Sequence, residues 1–504
     1  MTDTSSPLEI ELKLALPVKQ VPAFLRLMAR RRIPPVKQKL HTLYFDTAEF
    51  ELSRQGVALR IRRAGRRWLQ TLKTEGVRSG GLSTREEYET PTQRGALDWS
   101  RFPEAAQARV SDDLRARLGV RFETRFQRTA WQIAGAGRAR IEVALDVGEV
   151  RADDRFQPVC EIELELLSGS ADALFTLAQA WALQLDLLPL DLSKAERGVR
   201  LARGEAFKPV KSVPLVLTRG MTVEDGFAAT CQACLAQFQA NLPGVLASDD
   251  IEYVHQARVS LRRLRAALRV YRKACVLPQE LLDGLRVLVT ALGPTRDWDV
   301  LCSETLAAIA PSYDDAGGWQ DWMVTLETRR ASVRAAMRET LASAHPGAWL
   351  LAFQHWLQQR GWRAASPQIR LQQMASQIDV ARGILKKGHR GIVDRARVFE
   401  RLSPLERHAL RIAIKRQRYA AEFFQGLFDD GRQVRYLELA RSLQDTLGLA
   451  NDAHIAAALL ADSGLDEGRA GGFAQGWLAA KIADLTGSAS PESLQEFTSL
   501  RAYW

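Results

Sequence analysis

Residues 8–13 alternate apolar and charged side chains in the order Leu-Glu-Ile-Glu-Leu-Lys. If this stretch is a β-strand, Glu9, Glu11 and Lys13 lie on one face, because successive side chains of a strand point to opposite sides. Two carboxylates beside an ammonium group could bind a divalent cation and a phosphate oxygen together. The row could equally be the solvated face of an ordinary half-buried strand, for which such alternation is typical.

The same pattern returns in later strand-like segments, and this recurrence favours a chemical role. Charged residues that share a strand face are Arg60 with Arg62, Lys73, Arg85 with Glu87 and Glu89, Glu142 with Asp146, and Glu161 with Glu163 and Glu165. These faces could meet solvent on an open sheet or line the lumen of a closed barrel. Charges in a lumen are costly unless they are paired or bound to ions. A polyphosphate chain with Mg²⁺ or Mn²⁺ would satisfy charges of both signs.

Turn signals separate eight predicted strands in the first two hundred residues. These strands are expected at 8–14, 39–46, 57–63, 66–73, 83–89, 125–134, 138–146 and 160–167, with helices at 18–31, 103–118 and 171–185. This content predicts an antiparallel barrel or a strongly curved sheet. Residues 204–217, which contain Pro209 and Pro214, are predicted to form a linker. Beyond the linker, apolar spacings of three and four predict a helical region over 218–504.

Composition narrows the class of protein. The 504 residues are too many for one hydrophobic core, and five scattered cysteines argue against a disulfide framework. No segment approaches the ~20 consecutive apolar residues of a membrane span, and the first residues lack the features of a signal peptide. We therefore expect a cytoplasmic protein without a membrane partner. The net charge of +11 predicts a polyanionic ligand and does not choose between nucleic acid and phosphate polymers.

A strongly basic helix is predicted over 254–274. His255, Arg258, Arg262, Arg265 and Arg269 fall within roughly 80° of arc at 100° per residue. No acidic residue occurs within 253–279, so this row has no i,i+4 partner of opposite charge. A purely solvated helix face would more often mix charges of both signs.

The basic pattern recurs about 153–155 residues later. His408 is followed by cations at +3, +7, +8 and +10, which are Arg411, Lys415, Arg416 and Arg418. After each basic helix, a glycine and an aspartate stand four residues apart, as Gly293 with Asp297 and Gly448 with Asp452. Internal duplication at this period predicts two helical bundles related by approximate two-fold symmetry, with two basic helices facing one groove.

The charged strands resemble the CYTH superfamily, the triphosphate tunnel metalloenzymes. The matching residues are Glu9-Ile-Glu11-Leu-Lys13, Tyr44-Phe-Asp46-Thr47, Arg60 with Arg62, Arg128-Thr-Ala-Trp131, the row Glu161, Glu163 and Glu165, and Lys194. The resemblance implies triphosphate hydrolysis or cyclisation in an eight-stranded tunnel with Mg²⁺ or Mn²⁺. It implies triphosphate binding by Lys13, Arg60, Arg62, Lys73, Arg128 and Lys194, and metal binding by Glu9, Glu11, Asp146, Glu161 and Glu163. Glu9, Glu11 and Lys13 would be catalytic. Glu142 and Glu165 are additional carboxylates, because the acidic rows have more members than the site requires.

The basic helices resemble the CHAD domain, which implies binding of inorganic polyphosphate in the groove. The residues that match are His255, Arg258, Arg262, Arg263, Arg265, His408, Arg411, Lys415, Arg416 and Arg418. The whole chain resembles bacterial CYTH–CHAD inorganic triphosphatases, with a tunnel domain over 1–203, a linker over 204–217 and a helical domain over 218–504. The expected fold class is α+β, with an eight-stranded antiparallel tunnel barrel, flanking helices, and an all-α domain of two pseudo-two-fold bundles.

The resemblance therefore implies hydrolysis of tripolyphosphate to pyrophosphate and phosphate, through attack of a metal-held water on the terminal phosphoryl group. Long-chain polyphosphate, including polyphosphate granules, is the expected partner of the helical half. Adenylate cyclase and thiamine triphosphatase activities of the same superfamily are alternatives. So is a non-catalytic protein that binds polyphosphate or nucleic acid, although the basic helices offer few aromatic side chains for stacking on bases.

Overall fold

The computed structural model describes residues 8–93, 95–363, 366–428, 431–487 and 492–504. Two compact units are present. The first extends to Lys208 and includes His345–Trp356, and the second contains Pro209–Ala344 and Leu357–Trp504. The domain limits at 203 and 217 stay predictions.

The first unit is built on ten β-strands. They are β1 (Leu8–Ala15), β2 (Val36–Asp46), β3 (Val57–Ala64), β4 (Arg67–Thr74), β5 (Val77–Ser79), β6 (Leu82–Thr92), β7 (Gly119–Ala134), β8 (Arg140–Ala152), β9 (Arg155–Ser168) and β10 (Leu188–Pro189). Eight strands pair in the order β1-β9-β8-β7-β2-β3-β4-β6, and β6 pairs again with β1. All these pairings are antiparallel, so the sheet closes into the predicted eight-stranded barrel.

Six helices belong to the same part of the chain. They are α1 (Val21–Ala29), α2 (Glu51–Arg54), α3 (Glu104–Gln107), α4 (Asp112–Ala116), α5 (Asp172–Ala182) and α6 (Lys194–Ala202). Apolar residues of β1, β8 and β9 pack on α1 and α5 in one core, and β3 and β4 pack beneath α3 and α4 in another. The helix predicted over 103–118 is wrong, because Ser111 caps a new helix and divides the segment into α3 and α4.

The remaining helices follow in chain order. They are α7 (Val223–Ala247), α8 (Ile251–Val270), α9 (Gln279–Val300), α10 (Leu306–Ile309), α11 (Ala316–Ser343), α12 (Pro346–Gln358), α13 (Pro367–Met374), α14 (Gln377–Ala396), α15 (Pro404–Phe423), α16 (Arg432–Asp462), α17 (Gly468–Gly487) and α18 (Glu492–Ser499). In the second unit α8 packs on α7 and α9, and α15 packs on α14 and α16. The basic helices α8 and α15 also contact each other, so the sequence repeat places them side by side.

The α+β fold class is therefore confirmed, with a closed antiparallel barrel followed by a helical region. Helix α12 lies within the predicted helical region, but its residues up to Trp356 belong to the same unit as the barrel, which was not predicted. Gly347 explains the close approach, since a Cβ there would lie 1.7 Å from the carbonyl oxygen of Leu187. No helix in the described part of the chain has the length and hydropathy needed to span a membrane.

Candidate functional site

Charged strand faces of the barrel point into its lumen. Glu11, Asp146 and Glu161 are at most 3 % exposed. Their strand neighbours Leu12 and Ile162 belong to the apolar core under α1 and α5. Because side chains of a strand alternate, the carboxylates must lie on the opposite side of the sheet, which is the inside of the barrel.

Three carboxylates and an ammonium group form a compact cluster in this lumen. Asp146 on β8 and Glu161 and Glu163 on β9 place one oxygen each within 4.8 Å of the others. The Lys194 ammonium donates to all three, at 2.7 Å to Asp146 Oδ2, 2.6 Å to Glu161 Oε1 and 3.0 Å to Glu163 Oε1. Arg128 on β7 donates to Asp146 at 2.8 Å and also to Glu163.

Strand register and one helix terminus assemble this cluster. The pairing of β8 with β9 sets Asp146 directly opposite Glu161. Ser193 caps α6 with a complete capping box, so that Lys194 occupies the first helical position. Arg197, one turn later, donates to Glu161 at 3.1 Å. Arg197 was missed in the sequence, although its i+3 spacing from Lys194 on a helix places both on the same side.

The chemistry of this donor set suits a hard divalent cation. All three candidate metal ligands are carboxylate oxygens, which Mg²⁺ and Mn²⁺ prefer. Burial acts to raise the pKa of Glu163, but the charges of Lys194, Arg128 and Lys13 outweigh it and hold that pKa well below its usual range. The carboxylate is therefore ionised at neutral pH, as a metal ligand must be.

The predicted β1 carboxylates are held by cations at the neighbouring strands. Glu9 accepts from Lys73 at 2.9 Å and from Arg85 at 2.8 Å. Glu11 accepts from Lys13 at 2.5 Å and from Arg85 at 2.5 Å. Burial acts to raise the pKa of Glu11, whereas Lys13 and Arg85 lower it, and the net shift is downward. The β1 pair and the three-carboxylate cluster approach each other through Lys13, whose ammonium lies 3.8 Å from Glu163.

Arg85 joins both glutamates of the opening motif and was not assigned to the site from the sequence. Alternation along β6 placed Arg85 on one face with Glu87 and Glu89 but did not indicate what this face meets. The decisive fact is the register between β1 and β6, which pairs Glu9 with Arg85. That register is a tertiary property, and no spacing within either strand indicates it.

A cationic wall lines another part of the lumen. Arg60 and Arg62 project inward from β3, where Arg62 donates to Thr42 at 3.4 Å. Burial, with the charges of Arg60 and Arg128, lowers the pKa of Arg62 to about 10. Burial acts to raise the pKa of Tyr44, but the charges of Arg60 and Arg62 lower it overall. Tyr44 lies opposite Arg60 in the pairing of β2 with β3. Two guanidinium groups in mutual repulsion form a favourable site for an anion.

Glu142 and Glu165 face each other across β8 and β9. Burial, together with the negative charges of Glu9 and Glu142, raises the pKa of Glu165 to about 7. Neither carboxylate belongs to the cluster of Asp146, Glu161 and Glu163. The lumen therefore holds a second acidic region.

The second unit brings cations of α8 and α15 close together. The positive charges of Arg262 and Arg258 on α8, and of Arg411 on the same helix, disfavour the charged form of Lys415 on α15. Burial, with these charges, lowers the pKa of Lys415 to about 8. The two basic helices therefore bring their cations together, as the duplicated sequence predicts for a shared groove.

The glycines of the repeat make room for arginines at equivalent positions. A Cβ on Gly293 would lie 3.0 Å from a guanidinium nitrogen of Arg258, and one on Gly448 would lie 3.7 Å from Arg411. Arg258 also lies 3.7 Å from Asp297. Each Gly-Asp motif is thus placed beside the basic helix that precedes it.

Other predicted groove residues differ in exposure. His408, Arg265 and Arg416 are exposed, while His255 is half-buried. Arg263 is only 9 % exposed and lies over the Phe423 ring at 5.3 Å.

A buried carboxylate joins the two basic helices. Glu422 on α15 accepts from Arg263 on α8 at 3.1 Å and from Arg418 at 2.5 Å. This bridge between the sequence repeats joins Arg263, well inside α8, to the last turn of α15.

The CYTH domain model matches residues 7–199, and the CHAD domain model matches residues 229–461. The chain is 33 % identical over 172 residues to an inorganic triphosphatase of Haemophilus influenzae. This match covers 32 % of the chain and 46 % of the relative, so the chain spans less than half of that protein's length.

Two solved structures are similar in part. The CHAD domain of the plant Ricinus communis is 29 % identical, with 57 % of this chain and 99 % of that chain covered and a TM-score of 0.48. A Hippeastrum protein named as a candidate adenylyl cyclase with a dominant triphosphatase activity is 21 % identical. It covers 39 % of this chain and 97 % of its own, with a TM-score of 0.30.

Proposed function

This chain carries a CYTH domain followed by a CHAD domain, and from that premise we propose that it is a metal-dependent inorganic triphosphatase with a polyphosphate-binding module. The observation that supports this most is the arrangement of one lumen. A cationic wall of Arg60 and Arg62 and an acidic cluster around Asp146 enclose the same space. A triphosphate with a divalent cation has the complementary charges.

The substrate's phosphate oxygens would be held by Lys13, Arg60, Arg62, Lys73 and Arg128. Water attacks the terminal phosphorus in line, the bond to the bridging oxygen breaks, and pyrophosphate leaves. Fixed cations around a loose transition state stabilise the charge that builds on the phosphoryl oxygens. A divalent cation bound by Asp146, Glu161 and Glu163 would supply Lewis-acid polarisation of a phosphate oxygen.

Aromatic packing supports an inorganic substrate over a nucleotide. Tyr44 is stacked on Phe122, with ring centroids 4.6 Å apart. The ring of Phe126 is covered by Lys194, whose ammonium lies 4.9 Å from the centroid. Tyr44 and Phe126 are each 5 % exposed, so neither ring offers an open face on which a base could stack.

The test compares phosphate release from tripolyphosphate, ATP and thiamine triphosphate with Mg²⁺ or Mn²⁺ in the wild type and Glu11→Gln. We expect tripolyphosphate to be the preferred substrate and Glu11→Gln to lose most of the activity. Glu149→Gln is the matched control, since Glu149 pairs with the exposed Arg151 and should retain activity. Equal release by wild type and Glu11→Gln would refute the catalytic assignment.

For the helical half we propose that inorganic polyphosphate binds between α8 and α15. The crowded cations around Lys415 support this, because an anionic polymer would relieve their repulsion. Arg262→Glu and Lys415→Glu should weaken binding of long polyphosphate strongly, whereas Arg286→Glu, at an exposed site paired with Asp283, should not.

Single-stranded nucleic acid of matched charge and salt concentration is the comparison ligand. Weaker binding of nucleic acid than of polyphosphate is expected. Polyphosphate affinity that survives both charge reversals would place the binding site elsewhere, and tighter binding of nucleic acid would favour the alternative ligand.

A further inference from the structure

Lys194 occupies the space among the three carboxylates that we assign to the metal. Its ammonium lies 2.6–3.0 Å from one oxygen each of Asp146, Glu161 and Glu163. These hydrogen bonds use all three donors of the ammonium group. The side chain is 6 % exposed, so no bulk solvent competes for this position.

We propose that Lys194 is an internal competitor of the metal, which must leave these carboxylates before a divalent cation can bind them. This inference rests on the proposed metal site. An ammonium group and a hard divalent cation need the same oxygen lone pairs. One set of three carboxylate oxygens less than 5 Å apart cannot give close contacts to both.

Charge balance supports exchange over joint occupancy. The three carboxylates carry three negative charges, and Lys194, Arg128 and Arg197 donate hydrogen bonds to them. Lys13, whose ammonium lies 3.8 Å from Glu163, is paired with Glu11 at 2.5 Å. The cluster is therefore neutral before any metal enters. A divalent cation added to a neutral, nearly buried cluster would leave two uncompensated positive charges, which is costly at low exposure.

The position of Lys194 lets it move without disturbing the fold. It is the first residue of α6, and the Ser193 capping box holds the helix start independently of the lysine side chain. Its charge contributes to lowering the pKa of Tyr44, which lies opposite Arg60 of the cationic wall in the pairing of β2 with β3. Lys194 thus borders both the acidic cluster and the phosphate-binding wall.

Exchange gives the tunnel an order of loading. Without metal, Lys194 is retained by the carboxylates and is withheld from phosphate. Once metal replaces it, the released ammonium becomes available to the substrate's oxygens. Lys194 is then a substrate-binding residue whose contact with the triphosphate depends on the metal.

The test is calorimetric titration of the full-length protein with Mn²⁺ in the absence of phosphate. Lys194→Met removes the competitor, so Mn²⁺ should bind about tenfold or more tightly than to wild type. Tripolyphosphate affinity in the presence of saturating Mn²⁺ should instead fall. Thermal melting gives a second readout, because metal-free Lys194→Met should melt below wild type and gain more from Mn²⁺.

A gain of metal affinity is the informative result, since simple damage to the fold would weaken binding. Lys194→Gln is the second variant if the methionine variant does not fold. Unchanged or weaker Mn²⁺ binding by a folded variant would overturn the exchange while leaving the metal site intact. Absence of Mn²⁺ binding in both wild type and variant would refute the metal site itself, and the exchange with it.

Discussion

If polyphosphate binds between α8 and α15 as proposed, Lys415 should make the affinity depend on pH in a predictable direction. Burial and the charges of Arg262, Arg411, Arg418 and Arg258 lower its pKa from the ordinary 10.5 to about 8. A polyanion placed beside the ammonium favours its charged form and should restore the ordinary pKa. Binding therefore takes up a proton above about pH 8, and affinity must fall as pH rises through that value.

The size of the effect follows from the two pKa values. In the free protein, about 90 % of Lys415 is protonated at about pH 7 and about 3 % at about pH 9.5. If the bound form titrates at 10.5, the apparent affinity for polyphosphate should fall about 30-fold between these pH values. Neighbouring arginines stay charged over this range and contribute no slope.

Isothermal titration with polyphosphate of fixed length, at constant ionic strength across this pH range, measures the slope. Repeating it in buffers of different ionisation enthalpy counts the proton taken up. Lys415→Arg should flatten the pH dependence, because a guanidinium group keeps its charge. Lys387→Arg, at an exposed position of α14, is the control and should leave the slope unchanged. The reasoning fails if wild-type affinity is flat, or if Lys415→Arg retains the wild-type slope.

Three further substitutions test the packing around the two sites. Gly198→Ala would place a Cβ 2.0 Å from the Phe122 ring, so we expect the free energy of unfolding, measured with denaturant, to fall by about 1–3 kcal/mol. Triphosphatase activity should also fall, because α6 carries Lys194. Glu422→Gln removes the charge that holds Arg263, and chemical denaturation should show a loss of about 3 kcal/mol. Tyr44→Phe removes a partner of Arg60, and KM for tripolyphosphate should rise about fivefold.

A different result would refute each of these three predictions. Gly472→Ala is the control for the helix substitution, since nothing lies within 4 Å of a Cβ there, and equal stability losses at both glycines would refute the packing argument. Unchanged unfolding of Glu422→Gln would mean that the bridge between α8 and α15 is not structural. A Tyr44→Phe enzyme with wild-type KM and lower turnover would indicate that the hydroxyl acts elsewhere.

The strands were predictable because their signal is local. The expected strand at 8–14 is observed as Leu8–Ala15, and the expected strand at 57–63 as Val57–Ala64. The strand backbone itself imposes the period-two alternation, so a strand can be recognised in the sequence before its partner strand is known. Other strands extend further than expected, as with β7, which begins at Gly119 although the alternation predicts a start at 125.

Helix α12 shows where local signals fail. Its placement against the barrel depends on Gly347 lying under a carbonyl oxygen and on Gln354 accepting a hydrogen bond from Ser79 at 3.1 Å. Ser79 and Gln354 are far apart in the chain. Contacts at such separation are selected by packing energy, which no periodic pattern within the helix encodes.

The sequence by itself determined which side chains share a face: Glu9 with Glu11 and Lys13 on a strand, and His255 with Arg262 on a helix. These are consequences of backbone geometry and need only the identity of the element. Tertiary structure alone decided which faces meet. Barrel closure brings Arg85 onto the β1 glutamates, and α6 brings Lys194 among the three carboxylates. Electrostatic energy in a buried lumen depends on these distances, so the same charged residues acquire their chemistry only after the sheet has closed.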